Sequence, residues 1–191
     1  MAIDHDKVKH AVRLIFEAIG EDPDREGLAD TPRRIAEMFK EIFSGVGKDP
    51  RKELNTFFTE RHEELVALRD IPFYSMCEHH LLPFFGRGHI GYLPADGRVV
   101  GVSKLARVLE VVARRPQIQE RMGEEIADAI VDVLAPRGVI VVLEAEHLCM
   151  VMRGVKKPGS QMVTITTRGV FREDPTLREE ALQLLLGNHR R

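Results

Sequence analysis

An α+β fold is predicted for this 191-residue chain by the order of its periodic segments: helices, strands, two long helices, strands and a closing helix. Two features sharpen that reading. The late strand-like runs GVIVVLEAEHLCMVM and QMVTITTRGVF flank KKPGS, as an antiparallel hairpin with a longer loop would. Two short helices precede the first strand, so a helical arm over residues 1–50 is expected ahead of a sheet-bearing domain over 51–191, its helices on one face of a largely antiparallel sheet.

Each element has its own signal. Val8, Ala11, Val12, Ile15 and Ile19 recur at helical spacing, and Gly20 stops the pattern. Asp30 or Thr31 then caps a second helix with Pro32 in its first turn and Ile35, Met38, Phe39, Ile42 and Phe43 as its inner face. From about residue 64, VALRDIPFYSM, FFGRGHIGYLP and, after an Ala-Asp-Gly turn, RVVGVS read as strands. Ser103 stands where an N-cap would, ahead of Leu105, Val108, Leu109 and Val112. Pro116 restarts a helix bearing Ile118, Met122, Ile126, Ile130 and Val133, and a last helix covers about 175–186.

Composition excludes several classes of function. With 28 Lys+Arg against 30 Asp+Glu the charge is −2, too balanced for a protein that coats nucleic acid. A 43% apolar content excludes disorder. No apolar run approaches the roughly 20 residues that span a bilayer, and MAIDHDKVKHAV lacks the order of a signal peptide. A cytoplasmic protein without membrane or nucleic-acid partners is expected. There the two cysteines, Cys77 and Cys149, are free thiols or metal ligands sooner than a disulfide.

Cys77 and His80 have the C-x-x-H spacing by which one turn offers two ligands to one ion. His147, Cys149, Val151 and Arg153 alternate, which on a continuous strand would put all four on one face. If Cys149 meets Cys77 and His80, three protein ligands leave a fourth position for water, the pattern of a catalytic zinc whose water ionises near neutral pH. His79 and His147 then serve as proton carriers or as outer hydrogen-bonding groups. Ser103, Lys104 and Arg107 form either an anion site at a helix N-terminus or an ordinary cap with a basic flank, and Arg153 would add a fork suited to phosphate. Gln119 and Glu120 sit in a first helical turn, where a carboxylate is favoured by the dipole alone or serves a guanine edge.

Four separated motifs, Cys77-Glu78-His79-His80, Val102 to Arg107, Arg115 to Arg121 and His147 to Val155, together resemble GTP cyclohydrolase I, and the likeness runs from Thr31-Pro32-Arg33-Arg34 to the last helix. The resemblance implies the tunnelling fold and zinc held by Cys77, His80 and Cys149. It implies His79 and His147 as the acid–base pair, Glu120 helped by Gln119 as the guanine anchor, and Ser103, Lys104, Arg107 and Arg153 on the triphosphate. Arg34 would add a phosphate contact from another subunit. The implied reaction turns GTP and water into formate and 7,8-dihydroneopterin triphosphate, the entry to tetrahydrofolate and pterin synthesis. The implied assembly is a homo-oligomer, a decamer of two stacked pentamers with active sites at subunit interfaces. Gly123 and Glu125 stand where the family more often has Thr and Gln, and Gly123 is expected to weaken its helix by up to about 1 kcal/mol relative to Ala.

Overall fold

The computed structural model describes residues 3–187. The outermost residues of both expected domains, 1–2 and 188–191, lie outside the described residues. Helices α1 (His5–Ala18) and α2 (Thr31–Ile42) pack on each other ahead of the sheet. Asp4 caps α1 by accepting from the Lys7 N–H, and Pro32 opens α2, where its missing N–H has no helical partner to lose. Of the apolar stripe expected on α1 only Val12 is buried, whereas Ile15 and Ile19 are 58% and 68% exposed. A single chain therefore leaves most of that stripe uncovered.

Strands β1 (Phe57–Thr59) and β4 (Arg98–Val100) pair as a small ribbon. The main sheet has the order β5-β2-β3-β6-β7. Strands β2 (Val66–Cys77), β3 (Pro83–Leu93), β6 (Gly138–His147) and β7 (Met162–Gly169) are antiparallel neighbours, and β5 (Pro116–Gln117) lies parallel to the end of β2. Helices α3 (Val102–Ala113) and α4 (Gln119–Leu134) cover one face. They bury Leu105, Leu109, Val112, Met122, Ile126 and Ile130 against Phe73, Phe84, Ile90, Tyr92, Val141 and Leu143, which come from alternate strand positions. The intervening residues Ile140 and Val142 join Leu93, Phe171, Ala181 and Leu185 in a smaller cluster formed with α6 (Val170–Glu173) and α7 (Pro175–Leu186).

Three local expectations are corrected. The strand through residues 138–152 stops at His147, and Leu148–Val151 form a helical turn, α5, closed by the Met152 N–H on the Leu148 carbonyl. The alternation inferred for His147, Cys149, Val151 and Arg153 therefore does not hold. Ser103 is not the cap of α3, which starts at Val102 behind Gly101 and makes no side-chain cap bond. Pro116 does not restart a helix: Pro116 and Gln117 extend along β2 at the sheet edge, the one place where a residue without an N–H joins a ladder at no cost, and α4 begins at Gln119.

Gly123 lies where α4 crosses β7. A Cβ there would stand 2.6 Å from Thr166 Oγ1 and 3.4 Å from its Cβ, so any side chain at 123 requires Thr166 to shift.

Candidate active site

The β2–β3 hairpin carries the Cys77–His80 turn. The Cys77 N–H reaches the Leu82 carbonyl, and the Leu81 N–H returns to the Cys77 carbonyl at 2.8 Å. Leu81 closes the turn with a positive φ of 51°, a conformation unfavourable to a branched side chain and held here by the strands on either side. This tight turn brings His79 Nδ1 and His80 Nδ1 each to 4.0 Å from Cys77 Sγ. Glu78 is tied down by a bidentate ion pair with Arg121, at 2.6 and 3.1 Å, which joins the turn to the first turn of α4. Arg121 holds the Glu78 carboxyl below its ordinary pKa.

Turn α5 delivers Cys149 to the same place. The ligand atoms of Cys77, His80 and Cys149 lie within 4.8 Å of one another, against roughly 3.5–3.8 Å between neighbouring ligands of a tetrahedral zinc with bonds of 2.0–2.3 Å. Two thiols and an imidazole at that spacing suit a borderline-soft divalent cation. Burial and then the adjacent Cys77 sulfur push the Cys149 thiol up from its ordinary value of 9.0. Arg153 follows α5, and its Nη1 donates to His80 Nε2 at 2.9 Å.

His147, the last residue of β6, stacks on Phe84 with ring centroids 4.4 Å apart and planes 6° from parallel. Its Nε2 lies 2.9 Å from Gln119 Oε1. Burial lowers the His147 pKa from its ordinary 6.5, partly opposed by the negative charge of Glu120 nearby. Glu120 is exposed at the start of α4, as a group that meets a ligand must be, whereas Gln119 is only 1% exposed.

Ser103, Lys104 and Arg107 lie elsewhere. The C-terminal end of α3 leads into β5, whose Gln117 pairs with Cys77. Ser103 lies about 15 Å up the helix from Ala113, at 1.5 Å per residue. Ser103 and Arg107 are exposed, and Lys104 Nζ donates to Asn55 Oδ1 at 2.7 Å. Arg34, 70% exposed on α2, pairs with Asp30 at 3.0 Å. One chain thus brings together Cys77, His79, His80, Cys149 and Arg153 and joins His147 to Gln119 with the charge of Glu120 nearby, whereas among the described residues no hydrogen bond or ion pair ties Ser103, Lys104, Arg107 or Arg34 to either group. Sequence reasoning missed Glu78, Arg121, Phe84 and Asn55. Their partners are distant in sequence, and no spacing rule signals such pairs.

The sequence profile of the GTP cyclohydrolase I family matches residues 8–186. The chain is 59% identical over 185 residues to GTP cyclohydrolase 1 of Halalkalibacterium halodurans, covering 97% of this chain and 98% of that one. It is 61% identical over 179 residues to GTP cyclohydrolase 1 of Geobacillus kaustophilus, covering 94% and 95%, and 59% identical over 184 residues to that of Clostridioides difficile, covering 96% and 97%. With matches of that extent and with paired cysteines and histidines converging at the sheet end, the chain belongs to the GTP cyclohydrolase I family of enzymes.

Proposed function

We propose that the protein is a zinc-dependent GTP cyclohydrolase I of the cytoplasm, converting GTP and water to formate and 7,8-dihydroneopterin triphosphate for tetrahydrofolate or pterin synthesis. The observation that carries this reading is the convergence of Cys77, His80 and Cys149 from two distant segments, with His79 on the same turn and His147 two residues before Cys149. Cys77, His80 and Cys149 would hold zinc, which when bound would supply Lewis acidity and lower the pKa of a water toward neutrality. Glu120 accepts N–H donors from the guanine edge and so sets C8 toward the cysteines. His79 and His147 carry the proton that goes to guanine N7 as the imidazole ring opens, and return one as formate leaves. Arg153 and the Ser103, Lys104 and Arg107 set grip the triphosphate, which is kept throughout and serves to position the substrate.

The position of Ser103, about 15 Å along α3 from the helix end that leads to β5 beside Cys77, favours a site shared between copies, one chain giving the metal ligands and another the phosphate grip, with Arg34 reaching in from a further subunit. The uncovered stripe on α1 supports the same reading, with residues 1–50 as an arm for assembly and 51–191 as the catalytic unit of a decamer of two stacked pentamers.

The experiment is incubation of zinc-loaded protein with GTP, following formate and the fluorescent pterin obtained by oxidising the product, with His79→Ala as control. Both products from the wild type and neither from His79→Ala are expected. GTP bound without release of formate would replace the enzyme by a purine-binding module.

A further inference from the structure

We propose that Gln119 is a positioning residue that holds His147 in one tautomer and one ring orientation, and that it makes no contact with guanine. The kinetic part of this proposal rests on the GTP cyclohydrolase reading, whereas the tautomer does not.

Gln119 opens α4 with its side chain buried over the β6–β7 ladder. Its Nε2 donates to the carbonyls of Leu143 at 2.9 Å and Met162 at 3.0 Å and lies 3.2 Å from Thr164 Oγ1. A primary amide has two N–H donors and one oxygen. The two peptide carbonyls only accept, so turning the amide over would set its oxygen against both of them in a buried site, with the Thr164 hydroxyl alone left to donate. The network therefore fixes the orientation, which is how such orientations are assigned where hydrogens are not seen. The amide oxygen faces His147 Nε2 at 2.9 Å and can only accept.

A neutral imidazole carries one N–H, and the bond made by one nitrogen decides the chemistry of the other. With Nε2–H committed to Gln119, Nδ1 keeps the lone pair and is the atom through which His147 takes up or hands over a proton. Phe84 fixes the ring plane from the side. Both N–H donors of Gln119 are consumed inside the protein, and its 1% exposure leaves no edge for a base. Gly123, one turn later, lies close to Thr166 on the same strand β7 that supplies Met162 and Thr164 to this amide.

The test is nitrogen NMR on zinc-loaded, full-length protein containing 15N-histidine, with the His147 signals assigned by their loss in His147→Gln. A protonated Nε2 and an unprotonated Nδ1 are expected in the wild type. A protonated Nδ1, or an even mixture of tautomers, overturns the proposal whether or not any variant folds. In Gln119→Met, which keeps the bulk and removes the amide, both tautomers are expected. There kcat for formate release should fall about 10- to 100-fold, the usual cost of losing an orienting partner, with KM for GTP unchanged within about threefold. A raised KM with unchanged kcat would return Gln119 to the guanine pocket. Loss of turnover in the wild type with the expected tautomer would remove the functional reading alone.

Discussion

The two ends of α3 differ in how their polar residues are held. Beyond its C-terminal end, Cys77 is buried, Ser75 Oγ bonds the Ala113 carbonyl at 2.7 Å, Gln119 is saturated, and Arg121 clamps Glu78 across from α4. At its N-terminal end Ser103 and Arg107 are exposed, and Lys104 bonds Asn55 at 2.7 Å. The first arrangement is pre-organised, as chemistry that develops charge at a fixed point requires. The second is an open, basic helix terminus, which the proposed function reads as a polyanion grip. Under the proposed function the first end is the reaction centre and the second the phosphate grip, and the substitutions below should separate them.

The largest effect is expected from Cys149→Ser. It removes one of three convergent ligands, so zinc per chain measured by elemental analysis should fall toward zero and formate release should reach background, while GTP binding persists. Lys104→Ala combined with Arg107→Ala should do the reverse. Zinc content stays at the wild-type level, and KM for GTP rises about 100-fold or more, since each charged hydrogen bond contributes roughly 1.5–3 kcal/mol. Equal loss of zinc in both variants would erase the distinction.

Smaller effects test what supports the first end. Gly123→Ala gains helix propensity of up to about 1 kcal/mol but forces a methyl group against Thr166, and overpacking of that kind costs about 1–3 kcal/mol. Thermal unfolding should show Tm falling by about 2–6 °C, where helix propensity alone predicts a rise. The smallest expected effect is the pH dependence of the α4–β7 contact. Arg168 pairs with Glu124 and Asp128, and the Arg168 bond holds the Glu124 carboxyl below its ordinary 4.5. A pKa depressed in the folded state gives stability that is complete above about pH 4.5 and lost as pH falls through the folded value. Urea midpoints should therefore separate wild type from Arg168→Gln at pH 6 and converge near pH 3.

Much of this was legible in the sequence. The apolar periods of α3 and α4 and the C-x-x-H turn are local signals, and local signals survive folding. The metal group was legible for a partly mistaken reason: Cys149 reaches Cys77 through a helical turn, since Leu148–Val151 leave the ladder where β6 ends, and not through strand alternation. The burial of Gln119 was not legible, because a first-turn amide is usually exposed and its partners Leu143, Met162 and His147 lie 24 or more residues away. The Arg121–Glu78 clamp spans 43 residues, a separation that no local pattern encodes.

The division of the site is tested most directly by subunit complementation. The Cys149→Ser chain and the Lys104→Ala/Arg107→Ala chain are co-expressed in equal amounts, and formate release from the purified mixed assembly is measured at GTP well below wild-type saturation. If one chain supplies the reaction centre and its neighbour the grip, each variant alone is inactive and the mixture recovers about a quarter of wild-type activity, because one of four neighbour pairings is intact. A mixed assembly that stays at background would contradict the division and put the whole site within one chain.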